Sequence, residues 1–206
     1  MGIWNRLFRP AQETGSNPAI KKLHHHFRKL TPKQSEAVRR LPTLAVTLRQ
    51  GADYIYQRVI LDLLQEYDAR FQAGILSRLD EERKRRITEG LIHFMMVQVY
   101  ADLTEFVEDR NMAGLLADAV HFELFGDLPK ETGSFVEYFN YDLSNFEDPS
   151  AAPAYKFGHD LAALTGFAEM SLPLMLSQQS LLVAKLTNEL TRLALSNETL
   201  SPGAAS

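Results

Sequence analysis

The sequence predicts an all-α fold: a single-domain helical bundle of roughly six to eight helices with long amphipathic helices at its centre. Three observations carry that expectation. Apolar residues recur at steps of three and four, the spacing that places them on one face of an α-helix. No stretch alternates apolar and polar residues as a half-buried strand does, and no hairpin dipeptide separates two such stretches. Of 206 residues, 45% are hydrophobic and 23% charged, ordinary values for a chain with a sizeable core.

Residues 1–16 read as a flexible, amphipathic basic arm. Ile3, Trp4, Leu7 and Phe8 share one face of a two-turn helix, Arg6 and Arg9 lie on others, and Pro10 stops it. A helical domain follows over 17–197, and 198–206 reads as a disordered tail. Asn17 before Pro18 is a helix start for residues 17–29. Thr31 with Pro32 and Gln34 is a capping box for residues 31–40, and Pro42 is expected to end that helix. Ile55, Val59, Leu63, Tyr67, Phe71 and Ile75, flanked by Tyr56, Ile60 and Leu64, predict one long helix over 52–79. Ile87, Leu91, Met95, Val99, Leu103 and Val107, flanked by Ile92, Met96 and Tyr100, predict a second.

The charge run from Asp80 to Arg86 reads as a solvated surface with Glu81–Arg85 and Glu82–Arg86 pairs. A third helix is expected over 112–125, capped by Gly126 and stopped by Pro129. Ser134 and Glu137 form another capping box, residues 140–153 look irregular, and residues 154–164 return to helix. The last helix is expected over 172–196. There Leu172, Leu176, Gln179, Val183, Leu186, Leu190 and Leu193 form a heptad seam, which serves either an intramolecular hairpin or a homodimer.

Charge is divided unevenly. Residues 1–50 hold 10 Lys/Arg against 2 Asp/Glu, whereas residues 51–206 hold 12 against 24. The formal total of −4 conceals this split. The basic segment either docks outward or folds back on the acidic body. The acidic stretch 102–169, with 14 acids and 3 bases, argues against a broad nucleic-acid surface.

Several chemistries lack their signatures. The absence of cysteine excludes disulfides, thiolate catalysis and cysteine metal sites. There is no phosphate loop, dinucleotide fingerprint, H-E-x-x-H pair or nucleophile elbow. His24, His25 and His26 point about 100° apart on a helix and do not converge on one ion. Glu89 with His93, and Asp118 with His121, resemble fragments of a carboxylate–histidine metal centre, but no Glu-x-x-His is present. Neither a metal nor a cofactor is therefore expected. The first ten residues lack the apolar core of a secretory leader, and no apolar run is long enough to span a bilayer.

These readings favour a non-enzymatic helical interaction or assembly module in the cytoplasm, peripheral to a membrane if its arm docks there. The docking residues are Trp4, Arg6, Leu7, Phe8, Arg9, Lys21, Lys22, Arg28 and Lys29, and the partner is a protein or an anionic membrane surface. The alternative is a small-molecule or cofactor-binding bundle, an enzyme among the options. Its ligand or partner groove would be lined by Phe135, Tyr138, Phe139, Tyr141, Tyr155 and Phe157, from a segment holding 7 aromatics in 23 residues, with His121 and His159 beside it. A nucleic-acid-binding regulator is the third reading.

Overall fold

The computed structural model describes residues 17–128, 152–167 and 171–196. The expectations for the arm, the aromatic run 135–146, the Ser134–Glu137 box and the tail lie outside these residues. Among the described residues the protein is all-α: every regular element is helical and none is a strand.

The elements are α1 (Pro18–His26), α2 (Pro32–Ile55), a π-helical turn (Tyr56–Ile60), α3 (Leu61–Phe71), the single turn α4 (Ile75–Arg78), α5 (Glu81–Val107), α6 (Arg110–Phe125), α7 (Ala152–Thr165), α8 (Ser171–Gln178) and α9 (Ser180–Leu195). They group into two compact units. The first contains described residues 17–48, 99–128 and 187–196, and the second contains 49–98, 152–167 and 171–186.

In the first unit, α1 packs on α6, burying Ala19 and Leu23. Leu41, Leu44, Leu48, Leu103, Met112, Leu116 and Val120 supply much of the core. The capping box forms as the sequence predicts. Gln34 Oε1 accepts from the Thr31 N–H at 2.9 Å, and Thr31 Oγ1 accepts from the Gln34 N–H at 3.3 Å. Asp109 caps α6 by accepting from the Met112 N–H at 3.0 Å. Gly126 closes α6 in the left-handed region at φ 81°, donating to Phe122 O at 2.8 Å.

Pro42 does not end its helix, contrary to the sequence reading; it lies inside α2. Proline removes one donor, so the Val38 carbonyl lacks its usual partner four residues on. The local cost is outweighed because the apolar face continues through the site, with Ala37 and Leu41 buried before it and Leu44, Ala45 and Leu48 after it.

The second unit is built on Ile55, Tyr56, Ile60, Leu64, Tyr67, Ile87, Leu91, Met95, Phe157, Leu172 and Leu176. The predicted helix over 52–79 is corrected at both ends. Its start merges into α2 through the π turn, and its end is broken after Phe71. Gln72 at φ 52° and Gly74 at φ 67° reverse the chain in left-handed conformations. Asp68 secures the break: its carboxylate accepts from the Ile75 N–H at 3.0 Å and the Leu76 N–H at 3.2 Å. Those backbone donors, Ile75 first, hold the Asp68 carboxyl below the usual range. Phe71 of the predicted apolar row is consequently exposed.

By contrast, every member of the Ile87–Val107 row on α5 is buried. The ion pairs at the start of α5 differ in register from those expected. Arg85 bonds Glu82 at 2.6 Å and Glu89 at 2.5 Å, and Lys84 bonds Glu81 at 2.6 Å. A guanidinium fork reaches carboxylates one turn back and one turn forward, so Arg85 bridges two acids instead of pairing with Glu81.

The last predicted helix is also corrected. It breaks at Gln179, whose N–H donates to Leu176 O three residues back at 3.0 Å, and α9 restarts at Ser180. The buried face nevertheless runs on through the break in steps of three and four, from Leu172 and Leu176 to Ser180, Val183 and Thr187. In α9 the buried residues are Ser180, Val183, Thr187, Thr191, Ala194 and Leu195; of the predicted seam there, Val183 is buried while Leu186, Leu190 and Leu193 are half-buried, because a straight helix drifts from a strict heptad. Thr191 Oγ1 donates to Thr187 O at 2.9 Å, which satisfies its hydroxyl within the helix.

Candidate functional site

In the first unit, the outer side of α1 and the chain just after it form a basic surface. Residues 17–35 contain five Lys/Arg and no Asp/Glu. Lys21, Lys22, His24, His25, His26, Arg28 and Lys29 are all exposed. Among the described residues none of those four lysines and arginines forms a salt bridge, whereas Lys33 pairs with Glu108 at 2.7 Å. His26 Nδ1 donates to Lys22 O at 2.9 Å, covering a carbonyl at the end of α1.

Asn17 fixes this helix in place. Its Oδ1 accepts from the Ala19 N–H at 3.0 Å, the cap that the sequence predicts. Its Nδ2 donates to Ala119 O at 3.1 Å and to Glu123 Oε1 at 3.0 Å, both on α6. The side chain is 1% exposed. One amide therefore starts α1 and ties it to the acidic helix beneath. The basic segment is partly folded back, because Ala19, Leu23 and Asn17 face α6. Its lysines and arginines nevertheless remain on the solvent side.

Beneath α1, on α6, lie the half-buried Asp118 and the buried His121. Burial raises the Asp118 carboxyl, opposed by the charges of Lys22 and His121. Burial lowers the His121 imidazole, opposed by its bond to Asp127 O and by the nearby carboxylates of Asp127 and Asp118. His121 Nδ1 donates to Asp127 O at 3.0 Å, and its ring lies 4.6 Å from that of Phe125.

This arrangement predicts a pH dependence. A histidine with a lowered folded value binds fewer protons folded than unfolded, so its contribution is intact above about pH 6.5 and is lost as pH falls below that. Asp118 has the opposite sign: its raised folded value favours folding as pH falls toward the ordinary carboxylate range near 4. Wild type should therefore lose stability between pH 7 and 5.5, with a smaller loss in His121→Gln. An equal loss of urea-unfolding free energy between these pH values in wild type and His121→Gln would refute this role for His121.

The proposed groove residues do not form one cluster. His121 belongs to the first unit, whereas Tyr155, Phe157 and His159 belong to the second. Phe157 is fully buried, its ring 4.4 Å from that of Phe94, and functions as a core residue. Tyr155 and His159 are exposed. Phe135, Tyr138, Phe139 and Tyr141, like Trp4, Arg6, Leu7, Phe8 and Arg9, lie outside the described residues. Among the described residues, no group of three or more His, Asp and Glu is placed to hold a metal ion.

Two polar features escaped the sequence reading. Arg49, Asp53 and Tyr56 follow one helical face into the π turn at spacings of four and three. Burial lowers Arg49 and raises Asp53, and each charge opposes the other's shift; burial and then Glu81 raise Tyr56. The Tyr56 hydroxyl is buried without a hydrogen-bond partner. In the first unit, Asn188 Nδ2 donates to the buried Asp102 Oδ1 at 2.8 Å. The spacing of Arg49, Asp53 and Tyr56 is visible in the sequence. That this half-buried charged pair borders the apolar core is not.

The chain matches no protein-family model, no curated protein and no solved structure in comparisons with each.

Proposed function

We propose that the protein is a non-enzymatic helical interaction module that docks on an anionic surface through α1 and the arm preceding it. The supporting observation is that Lys21, Lys22, Arg28 and Lys29 stand exposed, without salt bridges among the described residues, while Asn17 anchors their helix to α6. Anchoring restrains the backbone carrying these charges, so less ordering entropy is lost on docking. The first surface to test is an anionic lipid interface, because the adjoining arm carries Trp4, Leu7 and Phe8 beside Arg6 and Arg9. Among the described residues no helix is long and apolar enough to cross a membrane, so the proposed association is peripheral.

The test is flotation of the full chain with phosphatidylserine-containing and neutral vesicles. Binding should require anionic lipid and weaken with salt. Each Lys or Arg near such a surface contributes about 1 kcal/mol, so replacing Lys21, Lys22, Arg28 and Lys29 with glutamate should cost on the order of a hundredfold or more in affinity. Removing residues 1–16 should reduce recovery further. Equal recovery of all three proteins would eliminate lipid docking. Salt-sensitive binding to polyglutamate without flotation would instead favour an acidic protein partner.

A further inference from the structure

Helix α9 places Val183 and Leu195 in the core but leaves Leu181 and Leu182 exposed on either side of its buried row. Ser180, Thr187, Thr191 and Ala194 are buried, while Leu182 is 42% exposed and Leu186, Leu190 and Leu193 are only half-buried. At about 100° per residue, these four leucines occupy an arc of about 80° beside the buried row. Burying a leucine fully is worth about 1.5–3 kcal/mol more than leaving it exposed. Four leucines aligned along a surface helix therefore mark a face that association would cover.

We propose that this flank is a homodimer face, packing antiparallel against α9 of a second copy across a two-fold axis. The spacing identifies the occupant. Leu182 and Leu193 share nearly the same midpoint as Leu186 and Leu190, within about half a residue, or under about 1 Å along the axis. A two-fold axis there sets Leu182 against Leu193 of the other copy and Leu186 against Leu190. Lys185 and Glu189 border the stripe, are exposed, and form no salt bridge within the described chain. Their midpoint lies within about one residue of the same axis, bringing Lys185 of each copy toward Glu189 of the other. A parallel pair in register would set like charges together.

The 16-residue helix is about 24 Å long, so the contact is smaller than the roughly 800 Å² per partner of a standard interface. The dimer should be reversible and micromolar.

Sedimentation velocity of the full chain over a micromolar concentration series tests the proposal. The apparent mass should rise from 23.3 kDa toward twice that value. Leu182→Glu, at an exposed position, should hold the protein monomeric with an unchanged helical spectrum. Lys185→Glu alone and Glu189→Lys alone should each weaken self-association at least about tenfold. Mixing those two variants should restore it, because both cross-axis pairs become opposite in sign. A chain that stays monomeric throughout, or dimers indifferent to Leu182→Glu, would overturn the proposal. So would self-association that emerges only when residues 1–16 are removed, since that segment would then be the cover.

Discussion

Gly158→Ala is expected to cost about 3 kcal/mol or more and to disrupt the packing of α7 on α8. A Cβ at this position would lie 2.2 Å from the Pro173 carbonyl oxygen, 2.2 Å from Ser177 Oγ and 2.6 Å from the Ser177 backbone nitrogen. Two of these atoms belong to the backbone, so no side-chain rotation relieves the overlap. The two helices meet this closely because neither places a side chain between them at that point. Pairing Gly158→Ala with Ser177→Ala should recover only a minor part of the loss, since the Pro173 oxygen remains. Gly114→Ala provides the contrast. The nearest atom to its added Cβ is Tyr100 Cε2 at 4.0 Å, and an interior helical glycine replaced by alanine gains about 0.5–1 kcal/mol. Urea unfolding followed by far-UV circular dichroism measures both changes. A Gly158→Ala protein within about 1 kcal/mol of wild type would contradict the close approach.

Asn17→Ala is expected to destabilise the first unit by about 2–3 kcal/mol, combining a lost helix cap of about 1 kcal/mol with the loss of one buried and one part-buried amide bond. Asn17→Ser should recover the cap but not the reach to Ala119 and Glu123. Asn17→Asp separates the two roles further. It retains a strong cap, yet directs carboxylate oxygens at the Ala119 carbonyl and the Glu123 carboxylate. It should therefore be no better than alanine at neutral pH and should improve relative to alanine as the acids protonate. If Asn17→Ala and wild type share one urea midpoint, the amide does not anchor α1. Charge reversal on the outer side of α1 leaves these contacts intact, so docking and folding can be measured separately.

Much of the local structure is readable from side-chain chemistry. Asn17 and Thr31 start helices because short polar side chains accept from the first free N–H groups, and Gly126 ends one because it tolerates a left-handed backbone. The Ile87–Val107 row requires only helical periodicity and a core to face. Pro42 is different. Its local preference favours a helix end, and the choice depends on whether the flanking apolar residues are buried together. The break after Phe71 depends similarly on Asp68 reaching donors beyond the turn.

Of the candidate surface, the sequence alone determined the composition: a basic segment ahead of an acidic body, with helical periodicity throughout. It also determined the cap at Asn17. Only the tertiary structure decided that this asparagine binds α6 as well, that Phe157 belongs to the core, and that α9 buries Thr187 and Thr191 while Leu186, Leu190 and Leu193 stay half-buried. The physical reason is that capping and amphipathicity act within a turn or two of the chain. Burial depends on contacts between residues far apart in sequence, such as Asn17 with Ala119.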